Sequence, residues 1–139
     1  MAVRLLFKDI HNKDVAVFLV SAYAPVGNAP DDVWDTYFDN LFSCTSKKRE
    51  GDILIVGSDC NSSIGCNSET DNGPLGKFGL SHMNASGLRF VSFLAMHQLK
   101  AATTWFKKKS YATWIHPRSK RPHQIDHFLV NNRDVSSNS

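Results

Sequence analysis

The sequence predicts a layered α/β protein, of the mixed α+β kind, and three successive segments carry that prediction. Two apolar runs, at residues 3–7 and 15–20, flank a polar turn and indicate a β-hairpin. Apolar residues at helical spacing follow between residues 31 and 42. Residues 53–56 are four consecutive aliphatics, three of them β-branched, which is typical of a strand buried on both faces. A hairpin, a helix and a buried strand in this order predict a sheet covered by helices.

The first helix and the strand before it have recognisable ends. The second hairpin strand is expected to continue through Tyr23 and to stop before Pro25, because proline cannot donate to a ladder. Asp31 is the expected N-cap of the helix, and acidic residues in its first turn suit the helix dipole. The basic run at residues 47–49, followed by Gly51, predicts the end of the helix.

A long loop and a second helix are predicted next. Residues 62–82 are rich in Gly, Ser, Asn and Asp, and long loops of this kind in compact domains are usually functional or mobile. Asn84 or Ser86 is the expected N-cap of the helix that follows. The apolar residues of this helix lie on more than one of its sides, which predicts a deeply buried helix.

Short strands are predicted after the second helix. The candidates are residues 101–106 and 111–114, around a lysine-rich turn, and residues 124–130. The whole length of 139 residues is typical of one domain with its own core. Residues 1–135 are therefore expected to form that domain, and residues 136–139 are expected to be a polar tail.

Composition and charge narrow the class of protein. Three cysteines without paired spacing argue against a disulfide framework and favour an intracellular location, with the nucleus included. No apolar stretch has the pattern of a signal peptide or the length of a membrane span, so no membrane partner is expected. The net charge of +3 is too small to indicate nucleic-acid binding by itself.

The residues with the clearest chemistry follow the buried strand. Asp59 and Asn61 come directly after Gly57, at a spacing of two. A carboxylate can take a proton or bind a hard cation, and an amide can donate to a phosphoryl oxygen without ionising. A rigid strand end is a common support for such a site. The alternative is an Asx-turn, in which the two side chains only cap backbone amides.

A second candidate for function is a basic stretch that contains aromatic residues. Six cations lie between residues 107 and 121, together with Tyr111, Trp114 and His116. Basic side chains contact phosphates, and aromatic rings stack on bases. The alternative interpretation is that these lysines and arginines only keep an exposed hairpin tip soluble.

Four motifs together resemble the endonuclease/exonuclease/phosphatase superfamily. They are Tyr23-Ala24-Pro25, Gly57-Ser58-Asp59-Cys60-Asn61, Thr113-Trp114 and Gln124-Ile125-Asp126-His127, in the order that the family uses. The similarity spans nearly the whole chain and resembles the branch of non-LTR retrotransposon endonucleases and craniofacial development protein 2-like proteins. It implies a four-layer α/β/β/α sandwich, present here in part, and Mg²⁺-dependent cleavage of phosphodiester or phosphomonoester bonds.

The resemblance implies a role for each matched residue. Asp59 would orient or deprotonate the attacking water and bind metal weakly, Asn61 would hydrogen-bond the phosphoryl group, and Tyr23 would contact it as charge builds. Asp126 would hold the imidazole of a catalytic histidine. His127, adjacent on a strand, is expected to point to the opposite face and to be structural. Substrate contacts are expected from Thr113, Trp114, Lys107, Lys108, Lys109, Arg118 and Arg121, with Lys120 as a further phosphate contact.

The sequence also departs from the family's pattern. Family members supply a metal-binding Glu before the hairpin and an Asp–His pair after the last strand, whereas the first Glu here is Glu50. Val26 stands where many relatives carry Asn, and Ser58 is inserted into the usual Gly-Asp-x-Asn. The chain is therefore expected to be a piece of a nuclease-like domain, cut or changed at both ends.

Two functions follow from these observations. The first is a Mg²⁺-dependent endonuclease or phosphodiesterase that acts on DNA with weak activity or none. The alternative is a catalytically dead, retrotransposon-derived module that binds nucleic acid or protein. Mg²⁺ is the expected cofactor but is expected to bind weakly, because Asp59 and Asp126 are the only carboxylates expected to reach it and the family's Glu is absent. Self-association through exposed strand edges is also expected, above all at residues 15–20, together with an uncovered apolar patch.

Overall fold

Two helices cover one face of a five-stranded sheet in the computed structural model, which describes residues 1–67, 69 and 73–131. This arrangement confirms the predicted mixed α/β class. The elements are β1 (Ala2–Lys8), β2 (Asp14–Tyr23), α1 (Asp31–Thr45), β3 (Ile53–Asp59), α2 (Ala85–Met96), β4 (Leu99–Ala101), a 3₁₀ turn (Ala102–Thr104), β5 (Trp114–Ile115), β6 (Pro122–His123) and β7 (Asp126–Asn131).

The sheet is mixed, with strand order β1-β2-β3-β7-β4. β1 and β2 form the predicted antiparallel hairpin, β3 runs parallel to β2, and β7 pairs antiparallel with both β3 and β4. The edges of the sheet are therefore β1 and β4. The expectation of an exposed edge at residues 15–20 is wrong for residues 17–20, because they pair with both β1 and β3, whereas residues 15 and 16 pair with β1 alone.

The core lies between the helices and one face of the sheet. Along β3, Leu54, Val56 and Ser58 are buried, whereas the alternate positions are only half-buried. The strand is thus fully covered on one face, and the expectation that it is buried on both faces is wrong. The largest fully buried apolar side chains on the helices and on β7 are Trp34, Phe90, Leu94 and Leu129.

The other face of the sheet is apolar and open among the described residues. Val3, Leu5 and Phe7 of β1 lie on it with Leu19 of β2 and Phe128 of β7, and each is at least 36% exposed. Apolar side chains that cluster in this way are rare on a soluble monomer. The expected apolar patch is therefore present, and self-association of the chain stays a prediction.

The helix ends differ partly from the expectations. Pro30, and not Asp31, is the N-cap of α1, and no side chain caps it. The helix ends at Thr45, before the basic run, so residues 47–49 do not form its last turn. The predicted cap of α2 is confirmed as Asn84, whose side chain accepts a hydrogen bond from the Gly87 N–H.

The burial of α2 and the short strands after it also differ from the expectations. Leu88 and Met96 of α2 are exposed, so this helix is buried on one side only. Of residues 101–106, only Ala101 lies in a strand, and the 3₁₀ turn follows at once. Of residues 111–114, only Trp114 does, and β5 pairs with β6 and not with β4. Such two-residue pairings carry too little periodicity for a sequence pattern to reveal.

The remaining expectations concern the long loop and the ends of the chain. The described part of residues 62–82 contains no helix, and its only β-bridge joins Ile64 to Met83. The expected tail, 136–139, and the end of the expected domain, 132–135, lie outside the described residues. Within the described ranges, no helix has both the length and the apolar character needed to cross a membrane.

Candidate functional site

Three of the predicted site residues lie side by side at the ends of three neighbouring strands. Tyr23 of β2 is the register partner of Asp59 of β3, and Asp59 is the register partner of Asp126 of β7. Register partners point to the same face of a sheet. A phenol and two carboxylates therefore share one face, and Tyr23 is 71% exposed there.

Asp59 and Asp126 are close neighbours because of the hydrogen-bond pattern around them. The Cys60 N–H donates to the Ile125 carbonyl at 2.7 Å. Hydrogen-bonded and non-hydrogen-bonded pairs alternate along an antiparallel ladder, so the adjacent pair, Asp59 and Asp126, is a non-hydrogen-bonded one. In such pairs the Cα atoms approach to about 4.5 Å, and the side chains are closer than at hydrogen-bonded positions. Like charges opposite each other destabilise a sheet, so this pair favours a cation nearby.

Asn61 forms a turn that ties the end of β3 to the end of β2. Its backbone N–H donates to Asp59 Oδ1 at 3.0 Å, and its side-chain Nδ2 donates to the Ala24 carbonyl at 2.8 Å. Its φ of 42° lies in the left-handed region, which asparagine tolerates better than most residues. The Asx-turn alternative is therefore present in the structure. The same turn leaves Asp59 Oδ2 without a hydrogen bond to any described residue.

A cleft of about 550 Å³ opens beside these strand ends. Its lining includes Tyr23, Asp59, Asn61, Trp114 and His123. Asp126 borders Asp59 but does not line the cleft. Its volume is within the range typical of small-molecule sites.

Thr113 contributes to the site indirectly. Its hydroxyl oxygen accepts hydrogen bonds from the backbone N–H groups of Ile125 at 3.1 Å and Asp126 at 3.3 Å. These bonds fix the start of β7, and so the position of the Asp126 carboxylate. Thr113 does not line the cleft, whereas its neighbour Trp114 does.

The basic residues lie outside the cleft lining, on exposed segments. Lys107, Lys108 and Lys109 are exposed between the 3₁₀ turn and β5. Arg118 and Arg121 belong to the turn that joins β5 to β6. This turn is held by the imidazole of His116, whose Nδ1 accepts from two backbone N–H groups at 3.0 and 3.2 Å.

His127 points to the helix-covered face of the sheet, opposite the site, as predicted, and is buried there. Its Nε2–H donates to the Gln124 carbonyl at 3.3 Å, so its Nδ1 accepts from the Thr103 hydroxyl. Burial lowers the pKa of this imidazole to about 4. The neutral ring is therefore part of the core at physiological pH.

One further residue, His123, contributes to the site and was not predicted. His123 lines the cleft, with its Nδ1 at 3.5 Å from Ser63 Oγ and its ring centroid at 5.4 Å from that of Trp114. Its position just before the Gln124-Ile125-Asp126 motif is the one signal in the sequence. Cys60 lies between Asp59 and Asn61 and is buried. Burial raises the pKa of its thiol to about 12, so Cys60 is not a nucleophile at neutral pH.

The strand ends offer two carboxylates as oxygen ligands for a divalent cation. No group of three or more His, Cys, Asp or Glu side chains that could hold a metal is found in the described part of the chain. Asp59 and Asp126 supply two carboxylates, and Mg²⁺ commonly binds through one or two carboxylates plus water and substrate phosphate. The donor set therefore suits a cation that substrate helps to bind.

Comparison with known proteins gives a distant relationship across the chain. No protein-family model matches it. The chain is 26% identical over 136 residues to craniofacial development protein 2 of Bos taurus and, to the same extent, to that of Tragulus javanicus. The alignment covers 96% of this chain and 23% of each relative. The chain thus spans about a quarter of the length of these proteins.

Proposed function

We propose that this chain is a weakly active, Mg²⁺-dependent phosphodiesterase of the endonuclease/exonuclease/phosphatase type that acts on nucleic acid. The observation that carries the proposal is the register alignment of Tyr23, Asp59 and Asp126 at the ends of three adjacent strands. The similarity to craniofacial development protein 2 and the order of the four motifs support the family, which suggests the reaction class.

Each side chain at the strand ends has a role in this proposal. The free oxygen of Asp59 orients or deprotonates the water that attacks phosphorus. Tyr23 donates its hydroxyl hydrogen to a phosphoryl oxygen on which charge develops. The second N–H of the Asn61 amide, the one not bonded to Ala24, donates to the same phosphoryl group. Fixed donors of this kind usually supply the largest part of the rate enhancement in such reactions.

Asp59 and Asp126 are the residues that would hold Mg²⁺. When bound, the cation supplies charge stabilisation to the phosphoryl oxygens and lowers the pKa of coordinated water. The protein's own contribution is to keep two carboxylates on one face, with Thr113 and Asn61 fixing the backbone beside them.

A nicking assay on supercoiled plasmid tests the proposal. The expected result is slow conversion to open circles with Mg²⁺, none with EDTA, and a loss of about 10²-fold in Asp59→Asn. Asp32→Asn, an exposed acid on α1, serves as the matched control and should nick at the wild-type rate. Equal nicking by wild type and Asp59→Asn would show a contaminating nuclease or another site.

His123 is the imidazole that this cleft offers for proton transfer to the leaving oxygen. Imidazoles are the most frequent general acids and bases in enzymes, and removing one commonly costs 10²-fold or more. We expect His123→Gln to lower the nicking rate by at least about tenfold while leaving the affinity for DNA unchanged. His11→Gln, in the exposed β1–β2 turn, should leave both quantities unchanged. An unaltered rate in His123→Gln would remove this residue from the reaction.

The alternative function is a nucleic-acid-binding module without catalysis, and the exposed basic segments favour it. The triple change of Lys107, Lys108 and Lys109 to Glu is expected to weaken DNA binding at least about tenfold, since phosphate contacts by lysine dominate non-specific affinity. Binding should also fall steeply with salt. Fluorescence anisotropy with a labelled duplex measures both effects.

A control of equal charge separates local contacts from net charge. Lys13, Lys47 and Arg49 are exposed on other parts of the surface, and their change to Glu alters the net charge by the same amount. If both triple variants lose affinity equally, the lysine segment is not a specific contact. Binding without Mg²⁺-dependent nicking would favour the alternative function.

A further inference from the structure

The surface opposite the open sheet face carries a groove between the two helices. α1 and α2 run in the same direction, because Asp31 near the start of α1 pairs with Arg89 near the start of α2, and Phe42 stacks on His97 at their far ends. Phe38 packs against Phe93 between the helices, with ring centroids 4.9 Å apart. These rings hold the helices apart and leave a groove of about 710 Å³ above them.

The groove is apolar where a surface helix is normally polar. Met96 is 76% exposed, Leu88 is 58% exposed and Phe42 is 49% exposed, and all three line it. Aromatic and methionine side chains around an open groove are typical of sites that receive an amphipathic helix. The distance from Arg89 to His97 along α2 is about 12 Å, which matches apolar anchors at positions i, i+3 or i+4, and i+7 of a docked helix.

The α1 side of the groove is acidic. Asp35 and Asp39 both line it, one turn apart, and both are exposed. Within the ranges that the structure describes, neither carboxylate has an ion pair or a side-chain hydrogen bond. Like charges at i and i+4 destabilise a helix, so a cation from outside would relieve this repulsion. The negative charge on this side of the groove therefore favours a basic partner.

We propose that the groove between α1 and α2 binds an amphipathic helix of a partner protein, with apolar anchors on one face and lysine or arginine beside them. The anchors fill the space above Phe38 and Phe93, and the basic side chains lie along Asp35 and Asp39. This site is on the opposite side of the sheet from Asp59 and Asp126, so a bound partner leaves the cleft free.

Two designed peptides test this proposal. Both are fluorescein-labelled, helix-stapled and about 14 residues long, with leucines at i, i+4 and i+7; one carries lysines beside them and the other glutamates. Anisotropy should show at least tenfold tighter binding of the lysine peptide. The double change Asp35→Lys and Asp39→Lys should reverse that preference, whereas Asp32→Lys, outside the groove, should not alter it.

The apolar contacts are tested separately. Leu88→Ser with Met96→Ser removes two exposed side chains, so the fold should persist, as circular dichroism and the Tm will verify. This variant should bind the lysine peptide at least tenfold more weakly. Equal binding of the two peptides by the wild-type chain, or unchanged affinity in the Leu88/Met96 variant, would overturn the proposal.

Discussion

Replacement of Gly87 by alanine is expected to destabilise the protein by about 3 kcal/mol, with a fall in Tm of roughly 10 °C. A Cβ built at this position would lie 1.9 Å from the Ser63 carbonyl oxygen and 2.7 Å from its carbonyl carbon. Helix propensity alone would favour alanine by about 1 kcal/mol. The overlap of the new Cβ with the Ser63 carbonyl outweighs that gain. Because the overlapping group is backbone, no side-chain rotation can relieve the overlap.

Gly57→Ala is the matched control for this prediction. Gly57 lies in β3, and the nearest atom to a built Cβ is a ring carbon of Phe128 at 3.7 Å, which is ordinary contact. Its change to alanine should alter the free energy of unfolding by less than about 1 kcal/mol. Since Ser63 lines the cleft, Gly87→Ala should also reduce nicking. Equal stability of the two variants would mean that α2 does not pack on Ser63 as described.

Acidification is expected to lower the free energy of unfolding by about 3 kcal/mol between pH 6.5 and pH 4 through His127 alone. The pKa of this imidazole is about 4 in the folded chain, against an ordinary value of 6.5, because burial disfavours its charged form. In that window the unfolded chain binds a proton that the folded chain does not. The stabilisation that the neutral His127 imidazole provides is complete above pH 6.5, and it is lost as the pH falls to about 4.

Urea unfolding at pH 7, 5.5 and 4 measures this dependence. His127→Gln should be less stable than wild type at pH 7, because it loses the bonds to Thr103 and Gln124, but its stability should fall much less with pH. His11→Gln, which changes an exposed histidine, should retain the wild-type dependence. A wild-type slope in His127→Gln would show that other groups cause the acid sensitivity.

The pattern of the sequence was sufficient for the long elements of the fold. Periodicity over ten or more residues identified both helices, and the apolar runs gave β1, β2 and β3 with β7 close to its predicted bounds. Asp59 was predicted at the end of the buried strand and Asp126 within the last strand, and in the structure each is a terminal residue of its strand. What periodicity could not supply was the antiparallel register that sets these two carboxylates opposite each other.

The elements that were missed depend on tertiary contacts rather than on local pattern. β5 and β6 are two residues each. The imidazole of His116 holds the turn between them, and Thr113, just before β5, accepts from the backbone N–H of Ile125, just after β6. His123 is the register partner of Trp114 in this pairing, and both residues line the cleft. The one-sided burial of α2 depends on where α1 packs, and a hydrophobic sequence alone does not show which of its apolar residues remain exposed.

Paramagnetic broadening by Mn²⁺, recorded in ¹H–¹⁵N spectra with a short DNA duplex present, shows whether the ends of β2, β3 and β7 bind a divalent cation. If the strand ends form one cation and phosphate site, the amide signals of Tyr23, Asp59, Asn61 and Asp126 should lose intensity first, and Asp59→Asn should abolish the effect. The exposed acids of α1, Asp35 and Asp39, provide an internal comparison. Broadening that is equal at α1, or unchanged in Asp59→Asn, would contradict a divalent-cation site at the ends of these three strands.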